Sequence, residues 1–287
     1  MGSFFEGWYF RQQTSKETVA LIPACHKNPQ GYSSASIQVI TKDAACFANY
    51  GENAFQSDKR RLFVQVGNST FSTEGIKLDI ETDSVKARGE LNFGELTPIR
   101  YDIMGPFQFT PLLECSHSIF SMTHSVNGRL IINERTYDFA NARGYIEGDR
   151  GSSFPKRYAW AHCQWEDETP CSLMLSVADI PFLGKRFTGV IGIVYLNGQE
   201  YRLATYLGAR VVHIGGGSVT VKQGKYALTV TRMNQRAMLL RAPVRGSMIR
   251  LIREHPACRL KVRFEKNHIP LFDFVTDQAG FEYEYNF

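Results

Sequence analysis

The chain has little that would take it into or through a membrane. Among its 287 residues the longest apolar run is Val190 to Leu196, far shorter than the roughly 20 residues that a membrane-spanning helix needs. The first ten residues, MGSFFEGWYF, contain an early acid and lack the basic and long apolar segments of a signal peptide. We therefore expect no signal peptide and a cytoplasmic protein.

The motifs of metal, nucleotide and hydrolase sites are also missing. The six cysteines form no CxxC or CxxH pair, which argues against a zinc site. Gly215-Gly-Gly217 lacks the Lys and Ser or Thr of a phosphate-binding loop, and no Gly-x-Ser-x-Gly occurs. His117 and His124 are seven residues apart, so on one continuous strand they would point to opposite faces. We expect neither a metal nor a cofactor.

Basic residues are concentrated in one part of the chain. The formal net charge is +5, from 33 Lys and Arg and 28 Asp and Glu, and residues 185–268 hold 16 of the basic residues and 3 of the acidic ones. Such a region can attract nucleic acid, anionic lipid or an anionic ligand, or it can form a solvated basic rim, which we favour. No nucleic-acid-binding motif accompanies it. We expect no nucleic-acid partner and at most weak association with a membrane surface, and the sequence does not indicate the oligomeric state.

What the sequence does contain is short segments in which apolar and polar residues alternate, as in half-buried strands. Segments of this kind are Ser36–Ile40, Arg61–Val66, Gly75–Ile80, Leu130–Ile132 and Val219–Lys222. Hairpin turns are predicted at Asn127-Gly128, Asn197-Gly198 and Gln223-Gly224. Met248–Arg253 is the best candidate for a short helix. The pattern predicts an all-β protein of barrel or sandwich type.

A short repeat suggests two similar halves. Ser3-Phe-Phe-Glu-Gly-Trp-Tyr-Phe10 and Ser153-Phe-Pro-Lys-Arg-Tyr-Ala-Trp160 align at an offset of 150 residues. Each run is followed by a polar turn and an apolar strand. We predict a domain at residues 1–150 and a second at residues 151–287.

The segment from Gly144 to Cys163 is the richest in functional side chains. Asp149 and Arg150, between glycines, are typical of a turn. Tyr158, Trp160 and His162 alternate as on one face of a strand. The segment is either a decorated hairpin or a turn that places acids at the mouth of an aromatic pocket.

Several runs, in order along nearly the whole chain, resemble the tocopherol cyclase family and its bacterial relatives. These runs are Phe5-Glu-Gly-Trp-Tyr-Phe10, Ile103-Met-Gly-Pro-Phe107, Glu114-Cys-Ser-His117, Gly144-Tyr-Ile-Glu147, Gly151-Ser-Ser-Phe-Pro155 with Trp160, Arg202-Leu-Ala-Thr-Tyr206 and Leu240-Arg-Ala-Pro-Val-Arg-Gly246. The resemblance implies an all-β fold of two lipocalin-like barrel or sandwich domains in tandem, with few short helices. It also implies a redox-neutral reaction, in which a prenylated hydroquinone or related isoprenoid closes to a chromanol-type ring.

That chemistry needs a carboxylic acid that an apolar pocket keeps protonated, because an alkene is a very weak base. Glu147 lies where the family places a glutamate, and Asp149 would share its face if the segment is extended. Two neighbouring carboxylates cannot both ionise cheaply, so one would hold a proton. Arg150 beside Asp149 favours a salt bridge there. The catalytic candidates are therefore Glu147, which we prefer as the acid, and Asp149.

Aromatic faces should surround the developing cation. The substrate-binding candidates are Trp8, Tyr9, Tyr145, Tyr158, Trp160 and His162. For Trp8 and Trp160 the alternative is a plug in the core of a barrel. The expected partner is an apolar small molecule, and the alternative function is non-catalytic binding of an isoprenoid or lipid in the same cavity.

Overall fold

The computed structural model describes residues 2–58, 60–110, 113–182, 184–234 and 237–285. These residues are mostly in β-strands, with three short 3-10 turns among them. No helix among the described residues has both the length and the apolar character to cross a membrane. The predicted all-β class is confirmed.

Eleven of the described strands form the first antiparallel sheet. They are β1 (Phe4–Gln13), β2 (Thr18–Lys27), β3 (Ser33–Thr41), β4 (Ala45–Gly51), β5 (Phe55–Ser57), β6 (Phe63–Val66), β7 (Ser69–Ser72), β8 (Gly75–Glu81), β9 (Lys86–Phe93), β10 (Cys115–Ile132) and β11 (Arg135–Gly151). Their order is β4-β3-β2-β1-β11-β10-β9-β8-β7-β6-β5. The first strand therefore pairs with the last one, which lies more than a hundred residues later in the chain.

The second sheet contains the remaining described strands. They are β12 (Tyr158–Glu166), β13 (Pro170–Phe182), β14 (Lys185–Leu196), β15 (Gln199–Ala204), β16 (Arg210–Gly215), β17 (Ser218–Gln223), β18 (Tyr226–Arg232), β19 (Met238–Val244), β20 (Ser247–Lys266) and β21 (Ile269–Tyr283). Their order is β15-β14-β13-β12-β21-β20-β18-β17-β16, with β19 paired to β20. Here too the first strand meets the last one.

Contacts divide the chain into two compact units. Unit 1 is Met1–Pro98, His117–Phe154 and Leu240–Arg250, and unit 2 is Ile99–Ser116, Pro155–Leu239 and Leu251–Phe287. Each unit thus takes segments from several parts of the chain. The domain bounds 1–150 and 151–287 stay a prediction.

Alternation builds the core of each unit. In β8, Ile76, Leu78 and Ile80 are buried while the intervening Lys77 and Asp79 are exposed, because successive side chains of a strand point to opposite faces. The core of unit 1 includes Trp8, Phe10, Phe71 and Ile146. The core of unit 2 is built in the same way and includes Leu173, Val230, Phe264 and Phe281.

The predicted helix at Met248–Arg253 is wrong, because this segment is the first part of β20. Ile249 and Leu251 are exposed while Ile252 is buried, which is the period of a strand. Apolar residues on both faces of the strand concealed that alternation from the sequence pattern. The strands predicted at Ser36–Ile40, Gly75–Ile80 and Val219–Lys222 are confirmed.

The hairpin predicted at Asn127-Gly128 is also wrong, whereas Asn197-Gly198 and Gln223-Gly224 do join consecutive strands. Gly128 lies inside β10, opposite Leu91. Its φ is +138°, and a Cβ there would stand 2.1 Å from the Glu90 carbonyl oxygen. The glycine permits a close strand approach within the sheet instead of a turn.

Candidate functional site: a buried acid–histidine cluster

The pairing of β1 with β11 sorts the candidate residues between two faces of the first sheet. Tyr9 lies opposite Glu147, and Trp8 lies opposite Gly148. Trp8 belongs to the core of unit 1, so its neighbour Tyr9 points to the other face, together with Glu147. Gly148 makes room for the indole, since a Cβ there would meet Trp8 Cδ1 at 3.2 Å.

Asp149 lies within β11 and pairs with Gly7, so the prediction of a turn at Asp149 and Arg150 is wrong. Pairing with β1 gives this segment the backbone hydrogen bonds of a sheet. The extended backbone from Tyr145 to Asp149 places Tyr145, Glu147 and Asp149 on one face. Asp149 therefore shares the face of Glu147, as expected for an extended segment.

Four side chains on this face form a connected cluster. Tyr145 donates its phenol hydrogen to Glu147 Oε2 at 2.6 Å. His117, from β10, places Nε2 at 3.2 Å from the same oxygen, and its Nδ1 lies 2.9 Å from Asp149 Oδ1. We call Tyr145, Glu147, His117 and Asp149 the acid cluster. It brings a phenol, an imidazole and two carboxylates within hydrogen-bond range of one another.

The acid cluster is shielded from water. Glu147 is 5% exposed and His117 is 7% exposed, while Tyr145 has no exposed surface. The Nε2 atom of His117 contacts Glu147 as an ion pair but makes no hydrogen bond of regular geometry. Charged groups rarely occupy such a position without compensating partners. The members of the acid cluster therefore depend on one another for their burial.

Electrostatics keep a proton on the cluster. Burial alone would lower the pKa of His117, but the charges of Asp149 and Glu147, with the hydrogen bond to Asp149, outweigh it and raise that pKa well above its ordinary value. Burial and the charge of Glu147 raise the pKa of Tyr145 well above its ordinary value. At neutral pH the cluster therefore holds an imidazolium and a neutral phenol next to two carboxyl groups.

His117 is the member of the acid cluster to which the sequence pattern assigns no role in proton transfer. It lies 30 residues before Glu147 in the chain, and only the strand pairing brings the two together. Its position in the family-like run Glu114-Cys-Ser-His117 was the available signal. The prediction that His117 and His124 face opposite ways agrees with their contacts, since His124 packs against Phe93.

Three members of the acid cluster could also hold a metal ion. His117, Glu147 and Asp149 each offer one ligand atom, and these atoms lie within 4.8 Å of one another. A ring nitrogen binds a metal ion only in its neutral form, so a cation would have to displace the proton that the two carboxylates hold on His117. In the absence of a metal ion, the same side chains hold a proton on His117.

Arg11 is a further buried polar residue on this face. It lies opposite Tyr145, has no exposed surface and donates a hydrogen bond to Gln13 Oε1. Its burial is not predictable from the sequence, because arginine is mostly exposed in folded proteins.

The remaining candidates lie in unit 2, on β12. Tyr158, Trp160 and His162 are buried on one face of this strand, and Ala159, Ala161 and Cys163 on the other face belong to the core. Tyr158 donates a hydrogen bond to Glu282, and the rings of Trp160 and His162 stack at 6.1 Å. The structure therefore groups these three, and separately groups Tyr9, Tyr145, Glu147 and Asp149 in unit 1. Trp8 instead belongs to the core of unit 1, which was the alternative to substrate binding for this residue.

Solved structures with the same fold include several proteins of low sequence identity. Kievitone hydratase from Nectria haematococca is 11% identical, with a TM-score of 0.58 over 98% of this chain and 89% of that one. CghA, solved with Sch210972, is 9% identical, with a TM-score of 0.61 over 98% and 88%. A putative AttH from Nitrosomonas europaea is 12% identical, with a TM-score of 0.53 over 100% and 93%. The lipocalin-like two-sheet fold is thereby confirmed.

Sequence comparison gives the family. No curated protein matches the chain by sequence. The model of the tocopherol cyclase-like family matches residues 84–283, a range that contains all four members of the acid cluster and every candidate on β12. The chain belongs to the tocopherol cyclase-like family.

Proposed function

We propose that the protein is an enzyme of the cyclase or hydratase kind, and that it closes a prenylated hydroquinone or related isoprenoid to a chromanol-type ring by acid catalysis. Membership of the tocopherol cyclase-like family supports the cyclase reading, and a structural neighbour named as a hydratase fits the same alkene chemistry. The observation that carries the proposal is the buried acid cluster.

The reaction is an isomerisation in which the proton count is unchanged. The His117–Glu147 pair gives one proton to the CH carbon of the trisubstituted double bond, and the other alkene carbon becomes a tertiary cation. The phenol oxygen bonds to this cation and loses its proton, which returns to the same pair. Shielding from water keeps hydration from competing with ring closure.

Each member of the cluster has a definite role in this scheme. Asp149 holds His117 in its protonated state through the contact at Nδ1. Glu147, 3.2 Å from His117 Nε2, shares with the imidazole the proton that goes to the alkene. Tyr145 fixes the orientation of Glu147 through the 2.6 Å hydrogen bond. A general acid of this kind contributes on the order of 10²–10⁴ in rate.

A binding protein would not need this arrangement. An apolar ligand requires apolar walls and one or two orienting polar groups, whereas here the two ring nitrogens of His117 face two carboxyl groups inside the protein. Burying such a set has a desolvation cost, and a protein that only binds an apolar ligand gains nothing from it. The cluster therefore favours catalysis over non-catalytic binding of an isoprenoid.

The test is turnover of a prenylhydroquinone by Glu147→Gln. We expect a loss of at least about 100-fold in kcat, with binding of an analogue that has a saturated side chain nearly unchanged. Glu81→Gln, which alters an exposed acid on β8, is the matched control and should retain full activity. EDTA should have no effect, because the acid in this scheme is a proton donor.

Two results would contradict the proposal. Full turnover by Glu147→Gln would remove the acid cluster from the chemistry. Wild-type protein that binds the prenylhydroquinone and releases it unchanged would establish the alternative, a non-catalytic binding protein.

A further inference from the structure

A cleft outside the acid cluster opens on unit 1. It has a volume of about 460 Å³, within the range of small-molecule sites. One wall comes from the ends of β2, β3 and β4, and the other comes from the hairpin between β19 and β20. Both walls belong to unit 1.

The hairpin wall is held firmly against the sheet. The side-chain amide of Gln38 makes two hydrogen bonds with the backbone of Arg241, donating to its carbonyl at 3.0 Å and accepting from its N–H at 2.9 Å. Gly246 donates its N–H to the Ser152 carbonyl at 2.8 Å. The cleft is therefore a preformed feature of unit 1, which reduces the entropy lost when a ligand binds.

The lining of the cleft combines polar groups, two aromatic rings and a single charge. The small polar residues are Asn28, Ser33, Ser34, Asn49 and Ser247. The aromatic rings are those of Tyr32 and Phe47, and the charge is that of Arg241, whose guanidinium lies 4.9 Å from the centre of the Phe47 ring. No acidic residue lines the cleft among the described residues, so its net charge is positive.

His26 supplies an unsatisfied polar group in the wall of the cleft. It is 5% exposed, and its Nε2 is 2.8 Å from Ser36 Oγ, while its Nδ1 has no hydrogen-bond partner. Burial lowers the pKa of His26 to about 4, so the ring is neutral near pH 7 and adds no charge. A buried ring nitrogen without a partner costs stability unless a ligand or water satisfies it.

We propose that this cleft binds a small organic anion, with its acid group at Arg241 and a planar apolar body beside Phe47 and Tyr32. An arginine guanidinium matches the geometry of a carboxylate and binds it through paired hydrogen bonds. The ring faces supply apolar contact, and the serine and asparagine side chains supply further hydrogen bonds. His26 then becomes the polar group at the inner end of the site.

The site is separate from the acid cluster, although both lie on the same face of the first sheet. His26 pairs with Phe5 on β1, and Phe5 pairs in turn with Gly151 on β11. Phe5, whose ring packs edge-on against Phe154 at 5.4 Å, lies on β1, the strand between β2 with His26 and β11 with Glu147 and Asp149. Binding in the cleft therefore does not require the proposed cyclase activity, and each can be tested without the other.

The experiment is a titration with benzoate, followed by NMR of the arginine Nε–H and histidine ring signals. Benzoate should shift the signals of Arg241 and His26, and neutral benzamide and inorganic phosphate should bind at least tenfold more weakly. Arg241→Gln should lower benzoate affinity at least tenfold, because the backbone bonds to Gln38 remain while the charge is lost. Arg245→Gln, an exposed arginine of the same hairpin that does not line the cleft, should bind benzoate as the wild type does.

The proposal fails if benzoate leaves the Arg241 and His26 signals in place. It also fails if benzamide or phosphate binds as tightly as benzoate, or if Arg241→Gln keeps its affinity for benzoate within twofold. None of these readouts depends on turnover of a prenylhydroquinone.

Discussion

At the scale of single residues, His117 is the group that most sharply separates an acid site from a merely polar one. Its two ring nitrogens contact two different carboxylates, and these raise its pKa against the opposing effect of burial. A histidine in an ordinary core position shows the reverse, as His124 does, where burial lowers the pKa to about 4. The pKa of His117 is thus determined by its two carboxyl partners and not by burial.

His117→Gln should lower kcat for prenylhydroquinone closure by about 100-fold or more and should also change the pH profile. In the wild type, activity should persist through neutral pH and fall only as the pH rises through the raised pKa of His117. The variant should lose that alkaline limb. A profile identical to that of the wild type would show that His117 holds no proton that matters to the reaction.

At the scale of elements, the strand pairing decides where the functional side chains meet. The β1–β11 pairing puts Tyr9 and Glu147 opposite each other. His117 lies on β10, which is the neighbour of β11 in the sheet. The sequence predicted strands and their alternation, because these depend on local patterns. It did not predict the partner of Glu147, because a register between strands depends on contacts that are distant in the chain.

Two other element-scale errors have the same origin. The arginines of Met248–Arg253, taken as one side of a short amphipathic segment, favour a helix, and the residue types of Asn127-Gly128 favour a turn. In both places the neighbouring strands, which a local window does not contain, determine the conformation. The cleft at Arg241 and His26 was likewise beyond prediction, since its walls are about 200 residues apart in the chain.

The β19–β20 hairpin gives an element-scale prediction about stability. Gly246 has φ +71°, and a Cβ there would lie 1.8 Å from the Lys27 carbonyl oxygen. Gly246→Ala should destabilise the protein by about 2 kcal/mol or more, from backbone strain and overpacking together. Gly224→Ala is the control, because Gly224 has φ +54° with open space around it and should cost only about 1 kcal/mol. Equal losses in urea unfolding would mean that the hairpin does not dock against β2.

At the scale of the whole molecule, the buried histidines predict how stability depends on pH. Burial lowers the pKa of His26 and of His124 to about 4, so the unfolded chain binds more protons than the folded one between about pH 6.5 and 4. Stability should therefore fall across that window as the pH decreases. Below that window each of the two histidines lowers the free energy of unfolding by roughly 3 kcal/mol, at 1.36 kcal/mol per pKa unit.

His117 acts in the opposite direction. Its folded pKa is raised, so its stabilising effect is fully present below about pH 6.5 and is lost as the pH rises through the folded pKa. Thermal unfolding midpoints measured from pH 4 to pH 9 should pass through a maximum. His124→Asn should flatten the acid side of that curve, and His117→Gln should flatten the alkaline side. A curve that keeps its shape in both variants would contradict these assignments.

The central claim, that the acid cluster protonates an alkene carbon during ring closure, is tested most directly by running the reaction in D₂O. The wild type should convert a prenylhydroquinone to a chromanol that carries one carbon-bound deuterium, at the ring CH₂ next to the carbon that forms the new C–O bond. Mass spectrometry and NMR of the product locate that label, and Glu147→Gln should give no labelled product above a protein-free control. A wild-type product without carbon-bound deuterium would contradict the account.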